Sequence, residues 1–133
     1  MEFLIIFLII LIIGIGIYFS FFYKKKAGFT EDQIKSFNKK IKLIKSPSYS
    51  EREKIMELDK LYHYILRQAG YTGSFGEILK QEPVCIEDLN EIWRLHKVRN
   101  KLAHDFEEFE LIKLKKDSRK YLNQIENLIK TLK

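Results

Sequence analysis

The feature that most constrains the fold of this chain is an uncharged, apolar run near its N-terminus, at residues 3–23. As a helix the run would be about 32 Å long at ~1.5 Å per residue, which matches the hydrocarbon core of a bilayer. A cleaved signal peptide needs a positively charged start and small residues at its end. This run instead follows Glu2 and ends in aromatic residues. We therefore predict an uncleaved transmembrane helix, with residues 1–27 as a membrane anchor.

The orientation of the predicted anchor follows from the charges that flank it. The cluster Lys24-Lys25-Lys26 comes directly after the apolar run, and positively charged flanks stay on the cytoplasmic side. Cys85 is the single cysteine, so no internal disulfide calls for an oxidising compartment. The sequence thus predicts a single-pass membrane protein with its N-terminus outside and its C-terminal domain in the cytoplasm.

The net charge of +6 is unevenly distributed along the chain. Residues 24–45 carry eight lysines against two acidic residues, whereas residues 46–133 carry 16 Lys and Arg against 15 Asp and Glu. The basic excess therefore lies beside the apolar run, where it suits anionic lipid headgroups better than a broad nucleic-acid surface. This distribution favours the lipid bilayer as a partner.

A second helix is predicted within residues 28–46, which we assign as a basic amphipathic juxtamembrane helix. Thr30 and Gln33 form a capping box at its start. Its apolar residues recur at helical spacing among lysines, so this stripe could lie on the inner leaflet. It could equally pack on the following domain or on a second copy of the chain. The stripe consists of Ile34, Phe37, Ile41 and Ile44.

The remaining residues, 47–133, are predicted to form a small helical domain. Capping boxes at Ser50 with Glu53 and at Ser74 with Glu77 mark two helix starts. Apolar residues recur at helical period in the long segments, and no segment shows sustained strand alternation. The predicted fold class is therefore all-α. A core of this size gains stability from pairing or from a partner.

One short stretch, Arg99-Asn100-Lys101-Leu102-Ala103-His104, groups residues capable of chemistry. Arginine offers a bidentate fork for phosphate, asparagine an orienting amide, and histidine a group that titrates near neutral pH. At about 100° per residue, His96, Asn100 and His104 follow one side of a helix. Arg99 is about 140° from His104, so the two converge only at a helix end or across a two-fold axis between copies.

These residue types suit RNA cleavage without a metal ion. A ribose 2′-hydroxyl attacks the adjacent phosphate, histidine moves a proton, and arginine stabilises the negative charge that develops on phosphorus. His63, His96 and His104 have no carboxylate or cysteine at ligand spacing, so no metal site is predicted. No cofactor is predicted either.

The stretch Arg99 to His104 resembles the Arg-x4–6-His signature of HEPN domains, in which a polar residue often follows the arginine as Asn100 does here. The resemblance covers roughly residues 50–133. It implies a helical bundle that forms a homodimer and acts on RNA as a metal-independent endoribonuclease, with Arg99, Asn100 and His104 as catalytic residues. Other HEPN members are inactive, which implies the alternative of a scaffold or interaction module at the membrane.

Overall fold

The computed structural model describes residues 2–22, 28–104 and 109–133, and every regular element in these ranges is an α-helix. The prediction of an all-α fold is therefore confirmed for this part of the chain. The helices are α1 (Glu2–Phe22), α2 (Glu31–Ile44), α3 (Glu51–Gln68), α4 (Phe75–Lys80), α5 (Leu89–His104) and α6 (Leu111–Thr131).

The predicted transmembrane helix is the main correction. Across the three described ranges, no helix is both long enough and apolar enough to cross a membrane. The single-pass topology and the membrane localisation depended on that span and are corrected with it. The Lys24-Lys25-Lys26 cluster lies outside the described residues.

Local sequence signals set the ends of several helices. Helices α2, α3 and α4 each begin with the predicted capping box, in which the N-cap hydroxyl and the side chain three residues later satisfy each other's backbone N–H groups. Helix α3 stops at Gly70, whose φ of 94° suits glycine. The N–H groups of Gly70 and Tyr71 donate to the carbonyls of Arg67 and Leu66. The boxes pair Thr30 with Gln33, Ser50 with Glu53, and Ser74 with Glu77.

Helix α3 occupies the centre of the core and packs against α2, α5 and α6. The apolar stripe of α2 faces α3, with Phe37, Ile41 and Ile44 buried. Of the alternatives left open by the sequence, the structure shows this stripe packed on the helices that follow it. The N–H of Phe29 also donates to the carbonyl of Leu132 at 2.8 Å, which joins the start of α2 to the end of α6.

An ion network joins α5 to α6 at their surface. The guanidinium of Arg94 donates to Glu91 at 2.8 Å and to Asp117 at 2.7 Å, and Lys120 lies 2.8 Å from Glu91. The hydrogen bond from Arg94 is the largest influence on Glu91, and together these cations lower the pKa of its carboxyl to about 2. The ionised carboxylate of Glu91 therefore stabilises the contact between these two helices.

We expect this network to make stability depend on pH in the acid range. The folded pKa of Glu91 lies below its ordinary value of 4.5, so its contribution is present above about pH 4.5 and is lost as pH falls towards about 2. Glu91→Gln should lower the free energy of unfolding by about 1 kcal/mol near neutral pH and by much less near pH 2. Urea unfolding followed by circular dichroism at both pH values measures this difference. An equal loss at both would contradict it.

Candidate functional site

The three predicted site residues all lie on α5, but the structure brings only two of them together. The Nη1 of Arg99 donates to the Oδ1 of Asn100 at 3.0 Å. His104 is the exposed last residue of α5. Among the described residues it has neither a hydrogen-bond partner nor an ion-pair partner. Helix α5 is described as far as His104, and no hydrogen bond joins the ring of His104 to Arg99 among the described residues.

The residue that organises the site is Asp59 on α3, whose exposed fraction is only 4%. Its Oδ1 accepts hydrogen bonds from the hydroxyl of Tyr121 and from the Nδ1 of His96, both at 2.7 Å. Its Oδ2 lies 3.5 Å from the Nε of Arg99, which is an ion-pair distance without hydrogen-bond geometry. A buried carboxylate loses its hydration at a cost of several kcal/mol, so it requires partners of this kind.

A further contact closes a ring of polar groups around Asp59. The Nδ2 of Asn100 lies 3.4 Å from the Nε2 of His96. Because the Nδ1 of His96 faces a carboxylate that only accepts, that nitrogen carries the proton and Nε2 accepts from Asn100. These contacts form a closed ring of four side chains, in the order Arg99, Asn100, His96, Asp59 and back to Arg99. We call these four residues and Tyr121 the Asp59 network.

The surroundings of the Asp59 network are largely apolar. The ring of His96 lies 4.7 Å from that of Phe75 and 6.3 Å from that of Trp93, and 13% of its side chain is exposed. The pKa of Tyr121 is raised well above its usual value, mainly because the side chain is buried. The negative charge of Asp59 and the hydrogen bond between Tyr121 and Asp59 raise it further. The hydroxyl of Tyr121 therefore remains a hydrogen-bond donor to Asp59 across the physiological range.

The arrangement resembles a catalytic dyad in part, since an aspartate orients the ring of a histidine. The free ring nitrogen of His96, however, faces Asn100 from the same helix, and the charge of Arg99 faces Asp59. In the described ranges, no group of three or more His, Cys, Asp or Glu side chains could hold a metal ion. The contacts of the Asp59 network instead hold α3, α5 and α6 in position relative to one another.

Sequence reasoning missed the two residues of the network that lie outside α5. Asp59 falls on the apolar side of α3, next to Leu58 and three residues before Tyr62. An acidic residue at such a position requires a buried cationic or hydrogen-bonding partner, and this signal could have pointed to the basic residues of α5. Tyr121 lies on the buried, mainly apolar side of α6, and nothing in the sequence distinguishes its hydroxyl from the other residues of that side.

Comparison with known proteins identifies no relative of this chain. No family model matches it, and neither a curated protein nor a solved structure matches it. The resemblance of residues 99–104 to the HEPN signature therefore remains a hypothesis that depends on the motif. Glu107 and Glu108, which follow the motif in sequence, lie outside the described residues.

We expect the Asp59 network to contribute strongly to stability. Asp59→Ala removes the acceptor shared by Tyr121, His96 and Arg99, and should lower the free energy of unfolding by about 3–5 kcal/mol. Tyr121→Phe removes one hydrogen bond to a charged group and should cost about 1–2 kcal/mol. Urea denaturation followed by circular dichroism measures both.

The matched control is Glu57→Ala on the same helix. Glu57 pairs with Lys60 at 2.6 Å on the surface, where an ion pair contributes less than about 1 kcal/mol. If Asp59→Ala were no more destabilising than Glu57→Ala, the Asp59 network would not be the stabilising feature described above.

Proposed function

We propose that this chain is a non-catalytic, HEPN-like helical module that binds a protein partner. The observation that carries the proposal is the direction of Arg99, whose Nε faces the buried Asp59 and whose Nη1 donates to Asn100. The most characteristic residue of the motif is thus engaged in contacts between helices.

The chemistry of RNA cleavage explains why this arrangement disfavours an enzyme. The arginine would have to offer its fork to the phosphate, with a histidine close enough to move a proton. In a single chain, Asp59 already offsets the charge of Arg99, and among the described residues His104 makes no hydrogen bond to Arg99 or Asn100. The other histidine nearby, His96, has both ring nitrogens engaged. The catalytic pair is therefore not assembled within one chain.

An interaction role is supported by the surface of the molecule. The described side chains of α1 are apolar and largely exposed, from 47% at Leu8 to 67% at Phe7. Contiguous exposed apolar surface of this kind marks an interaction site. A second copy of the chain is the simplest partner, because it brings an identical apolar helix and makes a symmetric contact. The proposed module is thus a homodimer.

The test is an RNA cleavage assay with the full-length chain in the presence of EDTA. We expect no cleavage of single-stranded RNA above the level of the Arg99→Ala and His104→Ala variants. We also expect Arg99→Ala to lower the free energy of unfolding by about 2 kcal/mol or more, since it leaves Asp59 without its cation, whereas His104→Ala should change it little. Cleavage that persists in EDTA and is lost in both variants would contradict the proposal.

A metal-independent endoribonuclease is the second candidate, and one observation favours it. His104 is exposed at the end of α5, and 26% of the Arg99 side chain is exposed, with no described partner for its Nη2. Two copies facing each other could pair His104 of one chain with Arg99 of the other. In that case, mixing the Arg99→Ala and His104→Ala variants would restore cleavage, because a heterodimer keeps one intact composite site. The non-catalytic module predicts no restoration.

A further inference from the structure

A second surface with distinct chemistry is lined by residues of α2, α3 and α6 and by none of α5. A groove of about 250 Å³ is formed by the end of α2, the start of α3 and the first half of α6. Four cationic side chains line it against a single carboxylate. These are Lys45, Lys54, Lys115 and Arg119, with Glu51 as the carboxylate.

The charges in this groove are only partly paired. Glu51 accepts from Lys54 at 2.8 Å and from the hydroxyl of Ser118 at 2.6 Å. Lys45 lies 3.3 Å from Glu126. Lys115 and Arg119 are exposed, and neither side chain has a hydrogen-bond or ion-pair partner in the part of the chain that the structure describes, although the charge of Lys115 helps to lower the pKa of Glu51. Two cations one helical turn apart on α6 are therefore available to an anionic group.

The size of the groove and its apolar floor, formed by Ile44, Leu58 and Leu122, restrict the kind of ligand that it can bind. Its volume is below the ~300–1,000 Å³ typical of sites for drug-sized ligands and cofactors. A space of this size suits one or two side chains of a bound peptide. Because cations and apolar residues line it together, an acidic side chain next to an aliphatic side chain would fit its chemistry.

We propose that this groove binds an acidic segment of a protein partner, with one carboxylate held by Lys115 and Arg119 and a neighbouring aliphatic side chain on the apolar floor. Arginine binds carboxylates through two parallel hydrogen bonds, which favours such a contact. The carboxylate of Glu51, already held by Lys54 and Ser118, opposes further negative charge in the groove. The groove therefore favours isolated carboxylates over a continuous phosphate backbone. This inference rests on the proposed function, because it names the chemistry of the module's partner.

The experiment measures binding of a fluorescent peptide of alternating glutamate and leucine to the full-length chain by fluorescence anisotropy. Lys115→Glu combined with Arg119→Glu should weaken binding by about tenfold or more, because two attractive charges become repulsive. Lys116→Glu combined with Lys130→Glu is the matched control. Both lysines are exposed on α6 and lie outside the groove, so binding should stay within about twofold of the unmodified chain. Thermal unfolding by circular dichroism verifies that both variants are folded.

Three results with the peptides would overturn the inference. These are absence of peptide binding, equal binding of a glutamine–leucine peptide, and an equal loss in the control variant, which would indicate attraction by overall charge alone. Tighter, groove-dependent binding of single-stranded RNA would also overturn it in favour of a phosphate ligand. The outcome is separable from the cleavage assay. Loss of peptide binding without RNA cleavage leaves the non-catalytic role standing, whereas cleavage overturns that role whether or not the peptide binds.

Discussion

The carboxylate of Asp59 is buried where α3, α5 and α6 meet, and the arrangement of these helices depends on keeping it satisfied. An unpaired carboxylate in such a place would cost several kcal/mol, so each neighbouring helix supplies a partner. Helix α5 contributes His96 and Arg99, and α6 contributes Tyr121. Arg52 on α3 adds a further link to α5 by donating to the carbonyl of Leu102. Apolar packing brings the helices together, and these polar contacts specify how they are aligned.

The same constraint bears on the two functions proposed from the motif. The Nε of Arg99 faces the carboxylate of Asp59, and its Nη1 donates to Asn100, so these two groups point into the molecule and not towards a bound phosphate. This geometry supports the proposal that Arg99 acts as a structural cation. Among the described residues, the apolar helix α1 and the cationic groove beside Lys115 and Arg119 are two surfaces suited to a partner.

Local patterns in the sequence predicted much of the fold but little of the site. Capping boxes and helical periodicity located the helix starts, because those interactions span only three or four residues. The Asp59 network was not predictable in this way, since it joins residues 37 and 62 positions apart, His96 and Tyr121 to Asp59. The helical spacing did predict that His96 and Asn100 lie on one side of α5, where the structure shows their side chains in contact. The transmembrane prediction depended on hydropathy over residues 3–23, and the described part of α1 does not bear it out.

A double-mutant cycle between Asp59 and Arg99 tests the central claim most directly. The free energies of unfolding of Asp59→Ala, Arg99→Ala and the double variant, compared with that of the unmodified chain, isolate the interaction between the two side chains. If Arg99 is a structural cation, the double variant should be more stable than the sum of the single effects predicts, by at least about 1 kcal/mol. Additive effects, to within about 0.3 kcal/mol, would show that Arg99 does not stabilise Asp59 and would contradict the account.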